Sequence, residues 1–296
     1  MKTKKQNYLY SLLNIFLIFF LINHTKAADH QKSFQPDIQI VFISNLNGVI
    51  ENCNCGHPPL GGLNYISTII DSLRQQNKEL VFIDGGDFSN PYPFAEINEA
   101  VLEIYKILQP DIIALGEQEF IEGKEYFNKI ISAFGKKILA TNLTVTRATL
   151  NETLKLKSLN VLSYMDESTL REVNEDMGWR FNNTVFEKLY SGLKDSEINI
   201  LVYHGTLKKL ELFLKKYVKF NLVLLSHDYK EGLISFNSPV IVGGGADGEH
   251  LMDIKINKNN KSADIMVDMI PVSKNRKSDP RVEKIIALYH DQVKTK

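Results

Sequence analysis

The sequence predicts an α/β fold with a largely parallel sheet and βαβ crossovers. Two observations carry that prediction. Short apolar runs of strand length alternate with longer stretches whose apolar residues recur at helical spacing. The runs end in glycine or a polar turn residue, and the crossovers between them are long enough to hold a helix.

"DIQIVFIS" (Asp37–Ser44) is the first expected strand. A loop rich in Asn, Gly and Cys follows, and "GGLNYISTIIDSLRQQ" then has helical spacing. "ELVFIDGGD" is a second buried strand, ending at Gly85, Gly86 and Asp87. "FAEINEAVLEIYKIL" is an expected helix, "PDIIALG" a third strand, "GKEYFNKIISAF" a helix and "KKILATN" a fourth strand. Residues 144 to 190 are less regular. "EINILVYHG" (Glu197–Gly205) is again strand-like, "TLKKLELFLKKYV" helical, and "FNLVLLSH" (Phe220–His227) a further strand. The shorter runs "PVIVGGG", "HLMDIKI" and "ADIMVDMIPV" suggest antiparallel or mixed pairing. In "DPRVEKIIALYHDQV", Asp279 is placed as an N-cap and Pro280 at the first helical position, predicting a C-terminal helix over about 279–293. No fixed-period repeat or low-complexity linker interrupts the chain, so a single domain is expected over 28–296.

Composition narrows the function classes. The 35 basic residues balance 35 acidic ones in a chain that is 44% hydrophobic. Bulk charge therefore points to no nucleic-acid partner. Lys208, Lys209, Lys215 and Lys216 are expected to form the solvated face of an amphipathic helix. At the N-terminus, "MKTKK" is a basic segment, "YLYSLLNIFLIFFLI" (Tyr8–Ile22) an apolar core, and "NHTKAAD" offers small residues for cleavage. Residues 1–27 are thus expected to be a signal peptide, with an uncleaved anchor as the alternative. The expectation is an exported protein, periplasmic or secreted, with no stable membrane span after cleavage. Cys53 and Cys55, in "ENCNCGH", are the two cysteines. A bridge across one intervening residue would be strained, so metal ligation or a free thiol pair stands beside it.

The polar residues at the strand ends carry the functional signal. Asn45, Asn47 and Gly48 follow the first strand, Asp87 the second, Glu117, Gln118 and Glu119 the third, and Asn142 the fourth. His204 and His227 end two later strands. In a parallel sheet such ends converge on one edge. Carboxylates and imidazoles arriving there from separate strands suit a borderline divalent ion such as Zn, Mn or Fe. Plainer roles stand beside this one. Asp87 could cap the next helix, Glu117 and Glu119 could be first-turn acids, and His227 a surface histidine.

The order of these residues resembles the calcineurin-like metallophosphoesterases, in particular the phosphatase domain of secreted bacterial 5′-nucleotidases. The family pattern is D-x-H, G-G-D, G-N-H-E, a lone H, then G-H-x-H. "IDGGD" and "PDIIALGEQEF" carry the likeness, and "LATNL" and "ENCNCGHPPLGGL" add context. The resemblance runs from about Ile38 to Ile256 and implies a four-layer α/β/β/α sandwich. It also implies two metals sharing Asp87. The first would take positions that are here Asn45, Asn47 and Tyr229, all changed from the family's ligands. The second would take Glu117, His204 and His227 with Asp87. The catalytic histidine of the family is here Gln118, which transfers no proton at neutral pH. Little or no phosphatase activity is therefore expected, with one divalent ion or none and a small phosphate ester or nucleotide as ligand. The alternatives are a divergent one-metal phosphoesterase and a thiol or metal function at Cys53 and Cys55. The chain is expected to lack the family's nucleoside-binding second domain. His57 and His250 have no family counterpart and are expected to be structural. "GGGADG" (Gly243–Gly248) resembles the family's late turn near the substrate.

Overall fold

The structure is a computed structural model describing residues 36–52, 57–146, 150–156, 158–172, 178–258 and 263–295. Asp37–Lys296 forms one compact unit. The expected signal peptide and Cys53 and Cys55 lie outside the described residues. Among the described residues no helix is long and apolar enough to cross a membrane.

Two six-stranded sheets face each other. The first is built on β1 (Ile38–Ile43), β2 (Val81–Asp84), β3 (Ile112–Ala114) and β4 (Ile138–Leu139), which run parallel in that order. β13 (His250–Lys258) and β14 (Ala263–Pro271) extend it antiparallel beyond β1. The second sheet centres on β7 (Leu159–Met165), β9 (Ile198–His204), β10 (Leu222–Ser226) and β12 (Val240–Gly244), all parallel. β6 (Leu154–Leu156) and β11 (Glu231–Ser235) flank it antiparallel. A small pair, β5 (Leu143–Val145) with β8 (Trp179–Phe181), stands apart.

Strand periodicity builds the layers. Ile38, Ile40 and Phe42 of β1 join Val81 and Ile83, Ile198, Ile200 and Val202, and Leu222 and Leu224 in one dry cluster between the sheets. The alternate residues of β1, Val41 and Ile43, face outward onto α1 (Leu63–Gln76), α2 (Ala95–Leu108) and α3 (Lys124–Phe134). On the far side Leu201, Tyr203, Val223 and Leu225 pack under α4 (Asn183–Ser191) and α5 (Leu207–Leu214). Each fully buried Ile or Leu in these layers stabilises the fold by roughly 1.5–3 kcal/mol. The result is the expected four-layer sandwich. Helix α5 stops at Leu214, four residues short of the expected end. There Lys216 and Tyr217 both donate backbone hydrogen bonds to the Phe213 carbonyl, closing a turn. The solvated lysine face holds for Lys208, Lys215 and Lys216 but not for Lys209, whose ammonium reaches Asp166 and Ser168.

The C-terminal helix α6 (Pro280–Lys294) starts where the sequence places it. Asp279 accepts from the Arg281 backbone N–H at 2.8 Å and from Ser67 Oγ at 2.5 Å, tying α6 to α1. The Asp279 carboxyl is held down to about 2, first by the Arg281 hydrogen bonds and also by that of Ser67. Asp279→Ala is expected to lower unfolding free energy by about 1–3 kcal/mol, since it removes a cap and a buried acceptor together. Asp279→Asn, which keeps the cap, should lose less. Urea denaturation of the two variants checks the order.

Candidate metal centre

The parallel strands of both sheets end on the same side of the sandwich, and the connections there carry the polar residues. Close approach is made possible by glycine. Gly86 (φ 96°) lies so near the β3 end that a Cβ would meet the Gly116 nitrogen at 2.6 Å. A Cβ on Gly116 would overlap Asp87 Oδ1 and reach His204 Cε1 at 2.6 Å. The β2 and β3 ends are thus pressed together beside His204.

Five non-glycine residues here adopt left-handed backbone: Asn45, Asn47, Asp87, His227 and Asp247. Among the described residues only Gln109 does so elsewhere. Such conformations persist where surrounding contacts hold them, and they gather at functional sites. The holding contacts are visible. Glu119, fully buried, accepts backbone N–H groups from Asp87 (3.0 Å), Phe88 (3.0 Å), Ser89 (3.2 Å) and Gly116 (2.8 Å). Burial and the Asp87 charge push its carboxyl up to about 8, against the pull of those donors. Asp84, also buried, accepts from Gly86 N at 2.6 Å and from the Tyr105 hydroxyl, and burial raises it to about 7. Glu119 lies in the first turn of a short 3-10 helix, Gln118–Phe120, and its carboxylate also shapes the loop after β2. Asp87 does not cap α2, which begins only at Ala95; its Oδ1 accepts from the Gln118 backbone N–H at 3.2 Å.

Asp87, Glu117, His204 and His227 come together, with one ligand atom from each lying within 4.8 Å of all the others. His204 Nε2 is 2.5 Å from Glu117 Oε2 and 3.5 Å from Asp87 Oδ2. His227 Nδ1 is 3.0 Å from Glu117 Oε1 and 3.7 Å from Asp87 Oδ2. The other nitrogen of His204, Nδ1, lies 2.9 Å from Ser226 Oγ and 3.4 Å from the Gly85 carbonyl. Those partners fix the ring so that Nε2 faces the carboxylates, the support that metal-binding imidazoles usually have. Two carboxylates and two imidazoles, one of them held by Ser226 and Gly85, fit one divalent ion, and when bound it would act as a Lewis acid. Ser226 is the supporting residue that motif reasoning missed. Its signal was its place at a strand end, directly before His227.

The other half of the site is different. Asn45 donates its amide to the Gly245 carbonyl at 2.7 Å and the Asp228 carbonyl at 3.3 Å, and accepts from the His227 backbone N–H at 2.8 Å. Asn47 donates to Asp247 Oδ1 at 2.8 Å and accepts from Gln118 Nε2 at 2.9 Å. Both side chains are thus engaged by the protein itself. Tyr229 is 76% exposed, and among the described residues it is not part of the cluster of four. His250 pairs with Glu231 at 2.9 Å, outside the cluster. Cys53 and Cys55 fall among the residues not described.

Comparison with known proteins gives the fold. No protein-family model and no curated protein sequence matches the chain. Among solved structures it is similar to the sulfate thiohydrolase SoxB of Thermus thermophilus, at 13% identity and a TM-score of 0.73, over 87% of this chain and 61% of that one. It is similar to the NAD nucleotidase of Haemophilus influenzae, at 14% identity and a TM-score of 0.71, over 86% of this chain and 67% of that one. A calcineurin-like phosphoesterase of Bacillus subtilis matches at 16% identity and a TM-score of 0.58, over 86% and 97%. The chain thus spans about three fifths of the thiohydrolase it matches. The fold is that of the calcineurin-like metallophosphoesterases, as the strand-end motifs led one to expect.

The two imidazoles make metal binding pH-dependent. His227, first through its hydrogen bonds to Asp87 and Glu117, is raised to about 10. His204 is also raised, although burial, the largest influence on it, acts the other way; the Asp87 and Glu117 charges prevail. In the metal-free protein the His227 ring is therefore protonated at neutral pH. Binding a divalent ion must displace that proton, so affinity should rise as pH rises from 6 toward 9. The His227 interactions stabilise the metal-free fold below the unfolded histidine value, and that contribution fades as pH climbs through about 10. Calorimetry in buffers of different ionisation enthalpy should record proton release on Zn binding; release of none would contradict this arrangement.

Proposed function

We propose that the protein is an exported member of the metallophosphoesterase fold that binds a small ligand at a single metal ion and has little or no phosphatase activity. The observation that supports this most directly is the asymmetry of the site. One half gathers Asp87, Glu117, His204 and His227 around a common point. The other half spends the amides of Asn45 and Asn47 on protein partners and leaves Tyr229 in solvent.

Phosphoryl hydrolysis by a two-metal centre clamps the attacking and leaving oxygens between the ions. With one ion position, that clamp has a single side. The amide hydrogens of Asn45 are donors, and they repel a cation where the family would place one. Gln118 holds a hydrogen bond to Asn47 and has no proton to give a leaving group. What these residues retain is binding: Asp87 and Glu117 supply charge, Ser226 and Gly85 orient His204, and Glu119 holds the loop that carries Asp87. The solved neighbours include an NAD nucleotidase, which favours a nucleotide or another small phosphate ester as the ligand class.

Metal content and turnover test this together. The purified protein should carry about one divalent ion per chain. Activity on nitrophenyl phosphate should lie near background. The variant Asn45→Asp, Asn47→His, Gln118→His and Tyr229→His should raise activity on nitrophenyl phosphate. Strong turnover by the unmodified protein would replace this proposal with the one-metal phosphoesterase. Absence of metal, with no thermal stabilisation by Mn or Zn, would remove the metal centre.

A further inference from the structure

One peptide in the turn after β2 couples a buried acid to a candidate ligand. Gly85 donates its N–H to the Ile43 carbonyl at 2.8 Å, and the Gly86 carbonyl accepts from the Asn45 N–H at 3.0 Å. β1 and its loop therefore hold the peptides on either side. The Gly85–Gly86 peptide between them has different partners. Its N–H donates to Asp84 Oδ1 at 2.6 Å, and its carbonyl lies 3.4 Å from His204 Nδ1. A peptide is planar, with its N–H and C=O pointing in opposite directions. An acceptor on the Asp84 side thus sets the polarity that faces the imidazole. With glycine on both sides, this is the peptide of the turn that can rotate, since rotation changes chiefly ψ of Gly85 and φ of Gly86.

Asp84 is fully buried, and its second oxygen accepts from the hydroxyl of Tyr105, which is also fully buried. The Tyr105 ring stacks on Phe88 at 4.5 Å, so α2 anchors both ends of the turn. The contact to Gly86 needs no charge on Asp84. Oδ1 stays an acceptor whether or not Oδ2 carries a proton. On the far side of the peptide, His204 Nδ1 has two partners. Ser226 Oγ is the nearer, at 2.9 Å, but a hydroxyl turns: it can donate to the Tyr203 carbonyl, 3.3 Å away, or to the ring. The peptide carbonyl only accepts. It is the partner of fixed polarity, and it requires hydrogen on Nδ1. Nε2, which is 2.5 Å from Glu117 Oε2 and 3.5 Å from Asp87 Oδ2, is then the nitrogen left to meet a cation.

We propose that Asp84 is a positioning residue for the metal centre: by fixing the Gly85–Gly86 peptide it holds His204 in the form with hydrogen on Nδ1, the form whose Nε2 can bind a divalent ion. The proposal rests on the metal-binding reading above and adds to it a control by a residue outside the four ligands. Without the Asp84 acceptor the peptide turns over and offers the ring its N–H. Nδ1 must then be bare, and the hydrogen sits on Nε2, where Glu117 accepts it. That arrangement satisfies the ring within the protein and closes the cation position. Asp84 therefore separates two states of one imidazole, of which only the first takes a metal.

Two substitutions separate the acceptor from the charge. Asp84→Asn keeps an oxygen for the Gly86 N–H and gives its amide to the Tyr105 oxygen. Asp84→Leu fills a similar volume without an acceptor, and Asp84→Ala takes its place if the leucine variant does not fold. By calorimetry, zinc affinity should stay within about twofold of wild type in Asp84→Asn and fall about fivefold or more in Asp84→Leu, the size of one net hydrogen bond. In a Ser226→Ala background the peptide carbonyl is the remaining partner of Nδ1, so the loss on adding Asp84→Leu should be larger. Equal losses in the two variants, a leucine variant that binds like wild type, or a loss unchanged by Ser226→Ala would overturn the proposal. The ring reports the same switch in the metal-free protein. With isotope-labelled histidine read by NMR, His204 Nδ1 should carry hydrogen at every pH in wild type and Asp84→Asn. Asp84→Leu should show the Nε2–H tautomer once the ring is neutral. Hydrogen that stays on Nδ1 throughout in Asp84→Leu would refute the peptide link. A wild type that binds no zinc while the tautomer still switches would refute the metal-centred reading instead and leave the link to His204 standing.

Discussion

The site depends on one buried carboxylate that touches no ligand. Glu119 gathers four backbone N–H groups from the β2 and β3 ends, and so holds the loop of Asp87 against the glycine that follows β3. Without it Asp87 has no reason to keep a left-handed backbone, and Glu117, two residues before Glu119, has no fixed relation to Asp87. The cost of burying this group appears as its raised proton affinity. The loop geometry is what that cost sustains, and the approach of His204 from the second sheet requires it.

The second requirement is that two sheets present their strand ends at one place. Phe42, Ile83, Val202 and Leu224 belong to the dry layer that presses the sheets together. Small residues line their junction near the site: a Cβ on Gly85 would meet both Ser44 Cβ and Ser226 Cβ at 2.9 Å. Because β9 and β10 arrive so close to β2, Ser226 can hold His204 while His204 faces Asp87. Packing and chemistry are one arrangement here, since a bulkier junction would move the imidazole away from the carboxylates.

Most of the framework was legible in the sequence because its signals are local. Apolar runs ending in glycine or a polar residue gave β1, β2, β3, β9 and β10, and Asp279 with Pro280 gave the start of α6. The four candidate ligands were legible because each ends a buried strand. The strand β7 was not, although it is central to the second sheet. It lies in a stretch where short elements crowd together, and its apolar run, Leu159–Met165, is interrupted by Asn160 and Ser163. Those two are satisfied only by distant partners: Asn160 by Asn199 and Glu197, Ser163 by Thr141. A strand whose polar residues are matched across the fold shows nothing local that says so. The roles of Ser226 and Glu119 were hidden for the same reason, since each depends on contacts made far along the chain.

The side chains of the neutral half are chemically linked. Asn45 and Asn47 bring donors and acceptors that need partners. Asn45 finds two carbonyls and the His227 N–H, and Asn47 finds Asp247 and Gln118. In doing so Asn45 fixes the backbone of His227, a member of the other half-site. The neutral half therefore supports the charged half: returning Asn45 to an acid would remove the donors to Gly245 and Asp228 and set a carboxylate beside their carbonyl oxygens. Such a network resists piecemeal reversal, because each amide is oriented by the next. The two halves are thus one hydrogen-bonded structure, in which Asn45 and Asn47 are engaged by the protein and Asp87, Glu117, His204 and His227 share a common point.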